Sequence, residues 1–186
     1  MLFRSSRTVA SKYWPVYHSS IGNTGAVYLN LTNATDTNAA YWNNTSPTSS
    51  VFTVGTISDI NTNGSQNVSY CFAAIPGFSA FGSYTGNGST DGPFVACGFR
   101  PRFVLIRNSS IVADWDILDT SRDPYNVASH DLYPDSASAE SSATNRLDVL
   151  SNGFKLRDSN TFLNGSGNTV IYAAFAENPF KYSRAR

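Results

Sequence analysis

Short apolar runs recur along the chain, set apart by clusters of Asn, Gly, Asp and Pro, and no long stretch repeats apolar residues at helical spacing. The clearest runs are FVLIR (103–107), DWDILD (114–119), LDVLSNGFKLR (147–157) and TVIYAAFA (169–176), and each predicts a strand. Alanines gather in ASAESSA (137–143), but serines break any helical stripe there. LDVLSNGFKLR predicts a hairpin, with Leu147, Val149 and Leu150 on one arm and Phe154 and Leu156 on the other. Asn152-Gly153 between the arms suits the positive φ of a tight primed turn.

Shifted by about 100 residues, the chain repeats this order of segments. LFRSS (2–6) falls on LIRNS (105–109), and YWPVYH (13–18) on DWDILD, placing Trp14 over Trp115. SSVFTVG (49–55) falls on SNGFKLR (151–157), Asn63-Gly64-Ser65 on Asn164-Gly165-Ser166, and SYCFAAIP (69–76) on YAAFAENP (172–179). The expectation is an all-β protein, an antiparallel and jelly-roll-like β-sandwich built from two diverged tandem copies of one unit. The first copy spans 1–82 and the second 95–186, packed against the first, with a glycine-rich junction at 83–94 read as a linker. The second copy opens with GFRPRFVLIR and the first with MLFR, so the first strand looks shortened. Met1 is read as a fragment boundary, and Leu2–Ser6 as a bare strand edge.

Composition supports strands. Asn, Ser and Thr fill about a third of the chain, charged residues only 14%, and there are 10 Tyr, 12 Phe and 3 Trp. Lys+Arg and Asp+Glu balance at 13 each, so no long-range field draws in nucleic acid or an anionic membrane, and no apolar run is long enough to insert in one. Solubility then rests on neutral polar surface, which suits an extracellular or particle-surface protein. The sequons at Asn30, Asn33, Asn67 and Asn87 are what chance gives in so Asn/Ser/Thr-rich a chain. Cys71 and Cys97 lie in apolar runs and read as small buried hydrophobes, with a disulfide between neighbouring strands as the alternative.

Little in the sequence points to catalysis. His18 and His130 are the only histidines, and neither sits in a nucleophile, metal-binding or phosphate-cradling motif. Asp114, Asp116, Asp119 and Asp123 read as solvated charges at a strand edge, with Asp114 and Asp116 on the face opposite Trp115. No catalytic residue, metal ligand or cofactor is expected. Trp14, Trp115 and the repeated phenylalanines read as core. Tyr41, Trp42 and Asn43, in AAYWNN, have no counterpart in the second half. Two readings stay open for them: the floor of a sugar site, where rings stack on pyranose faces beside short polar side chains, or core packing.

The strings YCFAAIPGFSAFGSYTGNGSTDGPF, GFRPRFVLIR, DWDILDTSRDPYNV, LDVLSNGFKLR and TVIYAAFAENPF resemble a C-terminal domain of bacteriophage tail-fibre and tail-spike-like structural proteins. The resemblance spans nearly the whole chain, strongest from Tyr70 onward. It implies a virion-surface location, other virion proteins and copies of itself as partners (a trimer above all), and attachment to a host glycan or protein. A purely architectural virion protein, such as a capsid decoration or fibre-stalk piece, is the alternative.

Overall fold

The computed structural model describes residues 2–6 and 12–179, with backbone alone at 2–6, 143 and 144. The first half forms β1 (Leu2–Ser6), β2 (Pro15–Tyr17), β3 (Gly25–Tyr28), β4 (Asp36–Thr37), a one-turn α1 (Ser58–Asn61) and β5 (Asn67–Cys71). Then come β6 (Ser79–Thr85), β7 (Phe94–Ala96), β8 (Pro101–Asn108), β9 (Trp115–Asp119) and β10 (Ala128–Asp131). The chain continues through β11 (Ser141–Leu150), β12 (Gly153–Leu156), a one-turn α2 (Thr161–Asn164) and β13 (Thr169–Ala176). The fold is nearly all β. Its antiparallel strands form three sheets, ordered β4-β3-β2-β1-β5, β6-β13-β8-β9 and β10-β11-β12-β7.

The sheets stack, and β6-β13-β8-β9 is the middle layer. Val170, Tyr172 and Ala174 of β13, with Val104 and Ile106 of β8, turn to Leu147, Val149, Phe154 and Leu156 of the third sheet. The alternate residues Ile171, Ala173 and Leu105, with Trp115, turn to Val16 and Val27 of the first sheet. Because successive side chains point to opposite faces, a strand covered on both sides must be apolar throughout, which is why FVLIR and TVIYAAFA read as continuous runs. Each fully buried aliphatic or aromatic side chain contributes about 1.5–3 kcal/mol. The far face of the first sheet carries Tyr17, Ala26 and Tyr28, and the irregular segment 38–61 closes over it.

Polar groups lock the first sheet to the middle one. Trp115 Nε1 donates to Tyr28 O at 2.7 Å. Arg107 is wholly buried, lies 5.6 Å over the Trp115 ring and donates to Ala113 O, Asn33 O and Asp135. Burial pulls the Arg107 pKa below its ordinary value, opposed by the nearby carboxylates of Asp135, Asp114 and Asp116. His18, also fully buried, bridges the same layers: its Nδ1 accepts from Ser20 N, so Nε2 carries the proton and donates to Tyr172 O at 3.1 Å.

Several expectations are corrected. β5-β1-β2 and β13-β8-β9 share their neighbour order, but Trp14 is half-buried ahead of β2 whereas Trp115 is fully buried within β9. SSVFTVG forms no strand, and Phe72-Ala73 lies exposed beyond β5 whereas Phe175-Ala176 is in β13. The paired tryptophans therefore do not close two equivalent cores; Trp115 sits at the wall the halves share. β1 is no bare edge, being hydrogen-bonded to β2 and β5.

The junction at 83–94 is not a free linker. β6 runs through its start, and fully buried Asn164 gathers the rest, with Nδ2 3.0 Å from Asn87 Oδ1 and 2.8 Å from Ser89 O and its Oδ1 accepting from Asn87 N. The 147–157 hairpin forms as expected, with Leu150 opposite Gly153, but no positive φ occurs at its turn. Gly153 is required for another reason: a Cβ there would lie 2.0 Å from Val95 O, where β12 meets β7. Cys71 and Cys97 are both free thiols; Cys71 is exposed, and burial pushes the Cys97 pKa up to about 12.

Burial lowers the His18 pKa to about 4. An unfolded histidine takes up a proton near pH 6.5, so between that pH and about 4 the unfolded chain holds more protons and stability falls as pH falls. The expected loss is about 3 kcal/mol. Chemical denaturation of the wild type and His18→Gln across pH 4–7 checks it: the difference between their stabilities should shrink on acidification, whereas a constant difference contradicts a buried neutral imidazole.

Candidate functional site

The residues singled out as a sugar floor lie in the core. Tyr41 and Trp42 are 2% and 1% exposed, and segment 38–61 folds them onto β2 and β3. Trp42 Nε1 donates to Gly25 O at 2.9 Å. Tyr41 OH donates to Asp36 Oδ2 at 2.6 Å and accepts from Tyr28 OH, which lies 3.0 Å from the same carboxylate oxygen. Burial lifts the pKa of both phenols, that of Tyr28 to about 12. Asn43 is exposed, with a left-handed φ of 51° in the turn that follows. The three residues thus share no ligand surface. Aromatics among Asn and Thr suggested exposure, but here a polar loop carries them back as the lid of a sheet.

The aspartates are not uniformly solvated. Asp123 accepts from Ser129 N, His130 N and, at 2.7 Å, His130 Nδ1. That bond raises the His130 pKa. The pair has the base-and-orienter form of a catalytic dyad, but among the described hydrogen bonds no Ser or Cys joins it. Asp119 is held by Arg122, which also reaches Glu140 at 3.0 Å.

Asp116 is the exception. It points from β9 away from Trp115, to the side where Leu118 enters the core between the middle and third sheets. Paired backbone hydrogen bonds between Ile117 and Leu132 join those two sheets along one seam. At that seam Asp116 meets fully buried Asp131 of β10, and Arg146 of β11 is ion-paired to Asp131 at 2.8 Å and to Asp158. Burial, then the Asp131 charge, raises the Asp116 pKa well above the usual carboxylate range, against the pull of Arg146. The two carboxyl groups are hydrogen-bonded to each other, so the proton that Asp116 keeps is shared with Asp131.

Asp116 opens into a cavity of about 150 Å³. Asp114, Tyr133 and Arg146 share its polar wall, while Asn160, Phe162 and Leu163 close it from the start of α2. Asn160 caps that turn by accepting from Phe162 N at 2.8 Å, which leaves the Phe162 ring 49% exposed. Among the described residues no group of three His, Cys, Asp or Glu side chains is arranged to hold a metal ion. Sequence reasoning placed Asp114 and Asp116 on one face but had no signal for Asp131 or Arg146, which arrive from other strands.

A second surface feature lies at the end of the first sheet. β5 is one of its two edge strands, with Tyr70 54% exposed and, just beyond the strand, Phe72 39% and Ile75 40%. Beside it runs an open, largely apolar groove of about 360 Å³ between Phe72 and the turn carrying Pro47, Val51 and Phe52.

Residues 1–179 match the model of a family described as a domain of unknown function, DUF7483, and the chain belongs to that family. No curated protein matches it, and no solved structure does.

Core and pocket aromatics should respond differently to truncation. Trp42→Ala should cost about 3–5 kcal/mol, as for other buried large side chains. Phe162→Ala should stay within about 0.5–1 kcal/mol, because half of that ring already faces water. Urea unfolding of both variants checks this, and a small loss in Trp42→Ala contradicts its place in the core.

Proposed function

We propose that this domain is a non-enzymatic structural module on the outside of a bacteriophage particle, a tail-fibre or adhesion piece that associates with copies of itself and with other virion proteins and attaches to a host-surface glycan or protein. The resemblance of its strings to phage tail-fibre domains supplies the location. Its balanced charge and Asn/Ser/Thr-rich surface fit a particle that must stay soluble without a strong field. The observation that carries the assembly part is the β5 edge, where exposed Tyr70, Phe72 and Ile75 flank an apolar groove. An edge strand offers unpaired backbone groups to another chain, and aromatic side chains beside it favour such pairing.

Burial of Tyr41 and Trp42 favours a second reading, an architectural capsid-decoration or fibre-stalk piece without a ligand, because it removes the expected glycan contacts from the surface. Light scattering of the wild type and Tyr70→Lys, alongside binding of labelled protein to host cells, separates the readings. The first predicts an oligomer, a trimer above all, that Tyr70→Lys dissociates, together with saturable cell binding. The second predicts the oligomer without cell binding. A wild type that stays monomeric at about 100 μM and binds no cells contradicts both.

A further inference from the structure

We propose that Asn63-Gly64, in the turn between α1 and β5, is a site of spontaneous covalent modification, where the Asn63 side chain cyclises onto the Gly64 nitrogen and water converts the ring to aspartyl and isoaspartyl forms. The inference goes beyond the particle reading and does not rest on it.

The reaction needs two groups brought together. The backbone nitrogen of the residue after an asparagine attacks the side-chain carbonyl carbon. A C–N bond forms, that nitrogen gives up its proton, and the side-chain amide leaves as ammonia. Water then opens the cyclic imide at either carbonyl, leaving a carboxylate where a neutral amide stood. Opening at the main-chain carbonyl routes the backbone through the former side chain, which is the isoaspartyl form. A side chain on the following residue obstructs the attack, and glycine has none. In a folded chain the step is suppressed wherever hydrogen bonds hold either group, because it must then wait for local opening.

The chain contains four Asn-Gly pairs, and three of them are held. Asn164 is fully buried, its Nδ2 faces Asn87 Oδ1, Ser89 O and Asp158 O, and Gly165 N donates to Thr161 O at 3.2 Å. Asn87 donates to Asp91 O at 3.0 Å and accepts from Ser89 N, while Gly88 N donates to Asn164 O at 2.7 Å. Gly153 is fixed between Leu150 of β11 and Ala96 of β7, and Asn152 O accepts from Cys97 N and Gly98 N.

Asn63-Gly64 has no such restraint. Both residues are exposed, and among the described hydrogen bonds none engages Asn63 or the Gly64 nitrogen. One bond closes the turn, from Ser65 N to Thr62 O at 3.1 Å. Gly64 has a φ of +74°, and an added Cβ would meet nothing within 4 Å, so no neighbour crowds the attack. Asn63-Gly64-Ser65 and Asn164-Gly165-Ser166 are the same tripeptide, open to the reaction in one setting and locked in the other. The new carboxylate enters just ahead of edge strand β5, in a chain whose formal charges otherwise balance.

The test incubates the full chain, folded and in guanidinium chloride, at about pH 6 and about pH 8, and follows each Asn-Gly pair by peptide mapping and mass spectrometry. Enzymatic methyl labelling identifies the isoaspartyl product. In the folded chain Asn63 should convert at least about tenfold faster than Asn87, Asn152 or Asn164, and faster at the higher pH, where the attacking nitrogen loses its proton more readily. In denaturant the four should convert at similar rates, because the fold no longer distinguishes them. Asn63→Gln, whose longer side chain closes a larger ring far more slowly, should remove the product from the folded chain. Conversion of any of the other three as fast as Asn63 in the folded chain, or an Asn63 that reacts at least about tenfold more slowly folded than unfolded, overturns the proposal.

Discussion

A β-sheet covered on both faces has no polar side to give to water, so each residue along its strands must be apolar or be met by a partner. β8 and β13 live under that constraint, and much of the molecule follows from it. Their alternating side chains supply one wall of two cores, toward β2 and β3 on one side and β11 and β12 on the other. Neither outer sheet has such a wall without them. The first sheet adds a third core on its far face, closed by segment 38–61 rather than by strands.

The polar residues admitted to this interior are the informative ones. Arg107 enters because three carbonyl and carboxylate partners and the Trp115 ring receive it, and His18 enters as a neutral donor to a β13 carbonyl. Asn164 is matched on both ends of its amide. Asp116 and Asp131 are different, since the two carboxyl groups meet each other and are hydrogen-bonded, which holds a proton on Asp116.

What the sequence disclosed tracks the same constraint. β8, β9, β12 and β13 were legible because a doubly covered strand, or one facing it, is written as an unbroken or alternating apolar run. The end of β6 was hidden because Ser83–Thr85 runs into the glycine-rich stretch, and the strand's own Gly82 breaks its apolar run where an added Cβ would come within 2.8 Å of the Tyr172 phenol oxygen. β10 looks like loop because only Ala128 of its four residues enters the core, while Asp131 is held by an ion pair to Arg146. Tyr41 and Trp42 stayed open between a sugar floor and core packing because local composition reports the loop they leave and not the sheet they cover. The seam site was invisible because Asp116, Asp131 and Arg146 come from three strands and only the fold brings them together.

Native-state amide hydrogen exchange tests the central claim most directly. If the middle sheet is the shared wall, the amides of β8 and β13 should be the slowest in the protein, exchanging only when the whole chain unfolds. If amides of β2–β3 or β11–β12 outlast those of β13, one outer sheet holds its own core without the middle one, and the account fails.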